Sequence, residues 1–256
     1  MKERFPLSVV VLTRNEEARL ADCLESVSWA DEIMVVDDES SDATVAIAKR
    51  YTDRVIVRKM DIEGRQRNWA YAQAKNTWVL TLDADERVTP ESRDEIIEVL
   101  KNNPKENGFT IPKRTYIGSH WIRYGGWYPA SKLILFRKDK FRYEEVAVHP
   151  RAFMEGACGH LTCDILHYSY RDLEDFWHKL NIQTTREAKK WYNQGKPMRL
   201  GRFLWRTVDR FLRTFVRKKG YKDGLIGFVV AFNAALYQFL SYLKYQELLL
   251  SKKEKA

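Results

Sequence analysis

The chain has 256 residues, of which 45% are hydrophobic and 13% aromatic, so it can bury a sizeable core and is not a disordered protein. Its formal net charge of +9 is confined to one end, because residues 196–256 hold fourteen Lys and Arg against four Asp and Glu. Nucleic-acid-binding proteins usually spread basic charge over the fold that contacts phosphate, so we expect no nucleic-acid partner.

Three cysteines, Cys23, Cys158 and Cys163, occur without a Cys-x-x-Cys spacing. An odd count without that spacing predicts neither a disulfide framework nor a zinc site, and it favours a reducing cytosol. The first residues do not contain a charged segment, a long apolar segment and a cleavage site in sequence, so we expect no secretory signal.

Residues 1–107 alternate between strand and helix patterns. We expect helices that begin near Asn15, near Ser41 or Asp42, at residue 64 and at Thr89-Pro90. The short apolar runs of buried strands cover residues 7–12, 33–36, 54–57 and 78–82. Repeated strand and helix units predict a Rossmann-like, mainly parallel α/β sheet flanked by helices. Ligands of such sheets bind outside the carboxyl ends of the strands, where the polar clusters of this sequence fall.

Residues 108–168 change to short β segments and loops rich in aromatic residues, Gly and Pro. Three helices are predicted beyond them, over 171–195, 199–219 and 224–249. We therefore expect a domain over 1–195, in which the pattern changes between residues 107 and 108, and a basic helical tail over 196–256.

Two carboxylates, Asp83 and Asp85, follow the fourth predicted strand and precede a capped helix. Hard oxygen ligands at this spacing suit Mg²⁺ or Mn²⁺, which bind through one or two carboxylates and substrate phosphates. A metal at this position neutralises the charge of a departing diphosphate. An isolated Asp-x-Asp is also typical of a solvated turn.

The segments LSVVVLTRNEE, EIMVVDDESSDAT and GRQRNWAYAQAKNTWVLTLDADE resemble, in order and spacing, the nucleotide-binding half of family 2 glycosyltransferases with the GT-A fold. The resemblance implies that 1–195 is a catalytic domain, with 1–107 as its nucleotide-binding half and 108–195 as its acceptor-binding half. It implies that Thr13 and Glu16 lie beside the nucleotide and that Asp38 contacts the uracil or ribose. It also implies a ribose-side role for Asp83 and a metal-ligand role for Asp85.

The same resemblance identifies Arg67 as the basic residue near the base and phosphates, with Arg65 as a neighbouring candidate. Either arginine is alternatively part of a solvated helix face. Asn15 is a further nucleotide-site candidate, or else only the cap of its helix.

The second half contains GGWYP at 125–129, KLILFRK at 132–138, RYEEVAVHP at 142–150 and HYSYRDLEDFWHKLN at 167–181. These segments resemble the lipopolysaccharide inner-core β-glucosyltransferase group. The resemblance implies an inverting transfer of a hexose, with glucose the first choice, from a UDP-sugar such as UDP-glucose to a lipid-linked saccharide such as lipopolysaccharide inner core. The alternatives are a polyprenyl-phosphate sugar synthase and a non-catalytic nucleotide-sugar-binding protein.

Inverting transfer needs a base that takes the proton of the acceptor hydroxyl. The resemblance places a carboxylate at Glu145, while Glu144 is the alternative because neighbouring residues of a strand face opposite sides. His149 is a candidate for the base, a third metal ligand, a diphosphate contact or a packed structural imidazole. Trp127 and Tyr128 are candidates for stacking on the acceptor sugar, or else belong to the core.

The tail pattern over 199–219 places bulky apolar residues on one side of a helix and arginines on the other. Residues 224–243 carry no charge and are long enough to span a bilayer. Their Asn, Gln, Ser and Gly content favours a helix in the membrane interface or a packed hairpin instead. We therefore expect an anionic membrane surface as a partner and a peripheral or monotopic protein at the cytoplasmic face of the inner (plasma) membrane.

Overall fold

The structure, a computed structural model, describes residues 5–146, 151–195 and 199–253. The chain forms two compact units, one from Met1–Lys113 and Ser131–His167 and the other from Arg114–Ala130 and Tyr168–Ala256. The division at residue 195 between a catalytic domain and a tail is a functional one and stays a prediction.

Thirteen strands occur in the described part of the chain. They are β1 (Phe5–Thr13), β2 (Ala30–Asp37), β3 (Val55–Val57), β4 (Trp78–Asp83), β5 (Glu86–Val88), β6 (Gly108–Ile111), β7 (Lys113–Ile117), β8 (His120–Trp121), β9 (Lys132–Arg137), β10 (Phe141–Tyr143), β11 (Ala152–Met154), β12 (Cys158–His160) and β13 (Ile165–Tyr170).

Seven α-helices are described in the same residues. They are α1 (Leu20–Ser26), α2 (Thr44–Ala48), α3 (Glu63–Ala72), α4 (Pro90–Lys101), α5 (Leu173–Asn193), α6 (Leu200–Leu212) and α7 (Gly224–Lys253). A π-helical turn, Arg213–Arg217, and a 3₁₀ turn, Gly220–Asp223, connect α6 to α7.

The first unit contains a seven-stranded sheet in the order β12-β6-β9-β4-β1-β2-β3. Strand β1 runs parallel to its neighbours β2 and β4, β2 runs parallel to β3, and β6 runs parallel to β12. Strand β9 runs antiparallel to both β4 and β6. Apolar side chains cover both faces of this sheet in two clusters, one around Leu80 and Ile96 and the other around Val79 and Phe136. The expected α/β fold with a mainly parallel central sheet flanked by helices is confirmed.

Strand register determines which side chains meet at the edge of the sheet. Leu12 of β1 pairs with Asp83 of β4, and Thr13 pairs with Asp37 of β2. All three strands are parallel, so their carboxyl ends, and the loops that follow, share one edge. That edge is where ligands of open α/β sheets bind.

Several predicted boundaries are wrong in detail. The first helix begins at Leu20, not near Asn15, and no side chain caps it. The predicted helix over 199–219 stops at Leu212, where the backbone continues as the π-helical turn. The last helix extends beyond the predicted residue 249 to Lys253. Thr89 caps α4 as expected, because its side chain accepts from the Ser92 amide.

The second unit contains helices α5, α6 and α7 and the hairpin of β7 with β8. One apolar cluster surrounds Phe176 and Val230, and another surrounds Trp191, Phe203 and Tyr242. The predicted helical appendage after the sheet domain is thus present, and α7 is its longest element.

Candidate active site

An ion pair lies at the carboxyl end of β4. The Nη2 atom of Arg67 donates to Asp83 Oδ1 at 3.2 Å, and its Nε atom donates to Glu63 Oε1 at 3.1 Å. Partial burial favours protonation of Asp83, but Arg67, Lys113 and His167 outweigh it and lower the pKa of this carboxyl. Asp83 is therefore an ionised hydrogen-bond acceptor at neutral pH, which suits the ribose-side role predicted for it.

Asp85, the second carboxylate of the motif, lies beside an imidazole that is not among the predicted ligands. Asp85 Oδ2 is 3.6 Å from His167 Nε2. Strand β13 brings His167 there, since it pairs with β5 and sets His167 opposite Glu86. A carboxylate and an imidazole side by side are suitable ligands for Mn²⁺, and Mg²⁺ requires oxygen ligands.

The described ranges, which omit residues 1–4, 147–150, 196–198 and 254–256, contain no group of three His, Cys, Asp or Glu side chains placed to hold a metal ion. A divalent ion at this site therefore requires additional ligands. In enzymes that act on phosphate-containing substrates, the phosphate oxygens of the substrate supply such ligands. The donor set fits a metal shared with a diphosphate. His149, predicted as a third ligand, lies outside the described residues.

A buried ion pair lies directly behind Asp83. Lys113 Nζ donates to Glu86 Oε1, and the Asp83 amide donates to the other oxygen of Glu86 at 3.2 Å. The side chain of Lys113 is only 9% exposed, and that of Glu86 is 1% exposed. Burial raises the pKa of Glu86, while for Lys113 the neighbouring Glu86 outweighs burial and raises the pKa. This pair fixes the backbone at Asp83 and places a positive charge near it.

A cavity of about 340 Å³ opens beside these groups within the first unit. Its charged and aromatic lining includes Glu63, Arg67, Asp83, Glu86, Lys113 and Tyr143. Side chains of both charges contribute to this lining, so it offers hydrogen-bond donors and acceptors. Such a surface suits a polar, hydroxyl-rich group.

Asp38 is held in place at the end of β2 by two donors. Arg14 Nη1 donates to Asp38 Oδ2 at 2.8 Å, and the Met60 amide donates to Oδ1 at 2.7 Å. A carboxylate offers about four acceptor positions, so it retains capacity for a ligand. The nucleotide contact predicted for Asp38 is compatible with this arrangement and stays a prediction.

Asn15 does not cap α1 and instead joins two loops of the sheet edge. Its φ angle of 52° lies in the left-handed region, which asparagine tolerates better than most residues. The Asn15 amide donates to Ser40 Oγ at 2.8 Å, and Asn15 Oδ1 accepts from the Ser41 amide at 2.8 Å. The residue thereby ties the loop after β1 to the loop after β2.

Thr13 is the last residue of β1, and Glu16 follows Asn15 in the next loop. Thr13 is buried, and its Oγ1 atom has no hydrogen-bond partner among the residues that the structure describes. An unpaired buried hydroxyl is costly, so it marks a position where a ligand atom is expected. The Glu16 carboxylate accepts from Arg19 at 2.7 and 2.8 Å, while the Glu16 amide donates to Thr44 Oγ1.

Glu145 and Arg65 meet across two elements of the first unit. Arg65 Nε donates to Glu145 Oε2 at 3.3 Å, and Arg65 also pairs with Asp61. The side chain of Glu145 is 53% exposed, so the carboxylate is open to an incoming substrate. Arg65 therefore contacts the predicted base, and its predicted nucleotide contact stays a prediction.

The segment that carries Glu144 and Glu145 packs tightly on α3. A Cβ atom at Gly64 would lie 1.9 Å from the carbonyl oxygen of Glu144, so only glycine permits this approach. Asn68, on the same helix, donates to the Tyr143 carbonyl at 2.9 Å and accepts from the Tyr143 amide at 2.7 Å. Helix α3 thus holds the backbone of the predicted base segment.

The predicted acceptor residues lie in the second unit. The ring of Trp127 packs in its core, with centroids 6.1 Å from Tyr170 and 6.4 Å from Phe176. The ring of Tyr128 lies edge-on to Trp121 at 5.3 Å. Trp127 thus packs in an apolar core, which was one of the two expectations for it. Stacking of Trp127 or Tyr128 on an acceptor sugar stays a prediction.

Sequence reasoning does not select Glu86, Lys113 and His167, which lie beside the Asp-x-Asp carboxylates. Glu86 follows Asp85 directly, so its proximity is a signal that the sequence offers. Lys113 and His167 come from distant strands, and only strand pairing brings them to the site.

Several known proteins resemble this chain along most of its length. The chain is 29% identical over 251 residues to the lipopolysaccharide core biosynthesis glycosyltransferase LpsC of Rhizobium meliloti, covering 95% of this chain and 93% of LpsC. It is 30% identical to the uncharacterized glycosyltransferase RT0209 of Rickettsia typhi, covering 96% and 89% of the two chains. The structure of Staphylococcus aureus TarS 1-349 in complex with UDP gives a TM-score of 0.49 at 14% identity, covering 98% of this chain and 92% of that one.

The family whose pattern matches is described as glycosyl transferase family 2, and the match extends over residues 8–158. That range includes most of β1, all of β2 to β4, the Asp-x-Asp carboxylates and the segment of Glu145. It covers more than half of the chain, and the protein therefore belongs to glycosyl transferase family 2.

Proposed function

We propose that this glycosyltransferase moves a hexose, glucose in the first instance, from a UDP-sugar to a lipid-linked saccharide such as lipopolysaccharide inner core, with inversion at the anomeric carbon. The observation that carries the proposal is the pairing of Arg67 with Asp83 next to Asp85 and His167 at the carboxyl edge of the sheet. LpsC, by its name, acts in lipopolysaccharide core biosynthesis, and its likeness along nearly the whole chain supports this acceptor class.

The nucleotide is proposed to bind along the ends of β1, β2 and β4. In this proposal the Thr13 hydroxyl and the Asp38 carboxylate face the uridine, and Asp83 accepts from the ribose. Support comes from Thr13 Oγ1, which has no partner among the described residues, and from the Met60 amide, which fixes Asp38. Glu16 and Asn15 shape the loop beside them. Arg67 supplies positive charge near the phosphates, where preorganised cations stabilise the charge that develops on the leaving group.

In the proposed reaction, the acceptor hydroxyl attacks the anomeric carbon on the face opposite the UDP. Glu145 takes the hydroxyl proton as the new bond from oxygen to carbon forms, and the bond from the anomeric carbon to the β-phosphate oxygen breaks. UDP leaves with the bonding electron pair, so the configuration at the anomeric carbon inverts. Glu144 and His149 are the alternative bases.

Asp85 and Asp83 are the residues proposed to hold a Mg²⁺ or Mn²⁺ ion, with His167 adjacent and His149 as a further candidate. When bound together with the donor, such an ion neutralises negative charge on the diphosphate. Arg67 and Lys113 act in the same direction from the protein side, since both carry positive charge close to Asp83.

The acceptor class places the enzyme at a membrane. We propose the cytoplasmic face of the inner (plasma) membrane, where a UDP-sugar and a lipid-linked saccharide meet, and a peripheral or monotopic association through the basic tail of residues 196–256. Trp127 and Tyr128 are proposed to contact the acceptor saccharide.

A donor screen followed by a transfer assay tests this function. A ligand that binds only the folded protein raises its melting temperature, so UDP-glucose with Mn²⁺ should raise it more than GDP-mannose does. Radiolabelled glucose should then appear in lipopolysaccharide core lipid and not in polyprenyl phosphate. Transfer to polyprenyl phosphate would support the synthase alternative, and donor binding without hydrolysis or transfer would support a non-catalytic protein.

A further inference from the structure

Helices α6 and α7 expose two long apolar stripes on the second unit. In α7 the exposed side chains repeat at helical spacing on one side, as Leu225, Phe228, Phe232, Phe239, Leu243 and Leu250. In α6 the corresponding residues are Leu200, Leu204, Val208 and Leu212. We call these two sets together the exposed stripe. Soluble monomers rarely leave contiguous apolar surface of this extent uncovered.

The two halves of the exposed stripe adjoin. The ring of Phe203 on α6 lies 5.6 Å from Phe239 on α7, and Phe211 lies 5.7 Å from Phe228. Phe228 and Phe239 are themselves members of the stripe, and Phe211 lies one turn from Val208. The contact between the helices therefore runs along the border of both apolar faces, which form one continuous surface.

The opposite side of α7 is built into the second unit. Gln238 and Ser241 are buried there, and the Ser241 hydroxyl donates to the Tyr237 carbonyl. Lys244 Nζ donates to the carbonyl oxygen and the side-chain oxygen of Asn181 and to the Thr184 hydroxyl, and both of these residues lie on α5. The segment Gly220–Ser251 is long and apolar enough to cross a membrane, but its inner side carries polar residues, of which Lys244 is hydrogen-bonded to α5.

Charge around the stripe indicates what covers it. Residues 199–223 carry nine Arg and Lys against Asp209 and Asp223. The exposed ring of Trp205 lies between the apolar side of α6 and its basic side, and tryptophan commonly occupies the border between lipid and water. A basic polar face with an apolar face opposite is the arrangement of a helix that lies in a membrane interface.

Resting on the membrane association proposed above, we propose that the exposed stripe seats the protein on the surface of an anionic bilayer, with α6 and α7 lying in the plane of the lipid headgroups. The apolar side chains enter the outer part of the lipid layer, and the long Arg and Lys side chains reach the lipid phosphates. A second copy of the chain fits less well, since a symmetric contact places the same basic patch of each copy against the other.

Vesicle sedimentation of the full chain, without donor or acceptor, tests the proposal independently of the transfer reaction. Binding should be strong to vesicles of phosphatidylcholine mixed with phosphatidylglycerol and at least about tenfold weaker to phosphatidylcholine alone, because basic residues near an anionic surface add affinity. High salt should weaken the binding without abolishing it, since salt screens only the charges. Alkaline carbonate should release the protein.

Two matched pairs of variants separate the apolar and basic contributions. Leu204→Glu with Phe232→Glu should abolish binding to both vesicle types, while Val57→Glu, an equally exposed apolar residue on β3, should leave binding unchanged. The triple variant Arg199→Gln, Arg202→Gln and Arg206→Gln should lose the preference for anionic vesicles. The control is the triple variant Lys49→Gln, Lys101→Gln and Lys105→Gln, which removes the same charge from the first unit. It should retain the preference for anionic vesicles.

Each alternative gives a distinct result. Retention in the pellet after alkaline carbonate would overturn the proposal in favour of a spanning α7. Equal binding to neutral and anionic vesicles would overturn its electrostatic part. A full chain that binds neither vesicle and sediments as a dimer, which Leu204→Glu with Phe232→Glu converts to a monomer, would assign the stripe to a second copy. Circular dichroism and thermal unfolding establish that each variant is folded.

Discussion

Arg67 Nη2 lies 3.2 Å from Asp83 Oδ1, so a helix side chain pairs with the last residue of the central strand β4. The pair keeps Asp83 ionised and leaves it 45% exposed for a ligand. It also links α3 to the edge of the sheet at which the nucleotide is proposed to bind.

Removing Arg67 should change the pH dependence of stability. The pKa of Asp83 is lowered in the folded protein, so its ionised form contributes stability that is present above the ordinary carboxyl pKa and is lost as pH falls through the lowered value. Arg67→Met should therefore destabilise the protein near neutral pH by about 1 kcal/mol, the scale of a partly exposed pair. Urea unfolding should show the difference between wild type and variant shrinking on acidification.

The control for this measurement is Arg93→Met, since Arg93 pairs with the exposed Asp94 on α4. It should change stability little at any pH. A gap between wild type and Arg67→Met that stays constant from neutral to acidic pH would contradict the role given to Arg67.

Asp85→Ala should abolish sugar transfer while the fold stays intact, because Asp85 lies in the turn between β4 and β5 and not in the apolar clusters that cover the sheet. Transfer assays with added Mn²⁺ measure the loss of activity, and thermal unfolding of the variant shows whether the fold is intact. Asp94→Ala, which removes an exposed carboxylate from α4, is the control. Full activity of Asp85→Ala, or of wild type in EDTA, would rule out the metal-dependent reaction.

Glu145→Gln should lower the turnover number by about 10²–10⁴-fold, the usual range for loss of a general base. Donor binding should persist, because the substitution keeps the volume of the side chain and removes only its capacity to accept the proton. Donor-induced thermal shift and initial transfer rates measure the two effects. Glu144→Gln is the matched neighbour, and a larger loss there than at Glu145 would move the role to Glu144.

Lys113→Met should destabilise the protein by about 3–5 kcal/mol, since it leaves Glu86 buried without its ionic partner. The double variant Lys113→Met with Glu86→Leu should recover part of that loss, as both buried charges are then removed. Equilibrium urea unfolding of the two variants gives the comparison. A single variant as stable as wild type would show that the pair is dispensable.

The sequence predicts the sheet of the first unit well because the buried strands are short apolar runs with polar residues at their ends. Asp38 and Asp83 could be placed at the same edge from this pattern alone. The pairing of Asp85 with His167 could not, because it depends on the register of β13 with β5, and periodicity does not give strand register.

The start of α1 was also beyond sequence reasoning. Asn15 is a favoured cap residue, but here its side chain satisfies the Ser41 amide of another loop, and the helix begins at Leu20. Tertiary hydrogen bonds therefore override a local capping preference. In the tail, helical periodicity predicts the apolar side of α6 correctly, whereas the change to a π-helical turn at Arg213 has no comparable signal.

The close approach of Gly64 to Glu144, together with the double hydrogen bond of Asn68 to Tyr143, has a mechanical consequence. Arg67 and the segment of the predicted base are both anchored to α3, so they move as one piece. If a bound donor pulls Arg67 toward its phosphates, the same displacement carries Glu145 along. Donor binding and the position of the predicted base would then be coupled through α3.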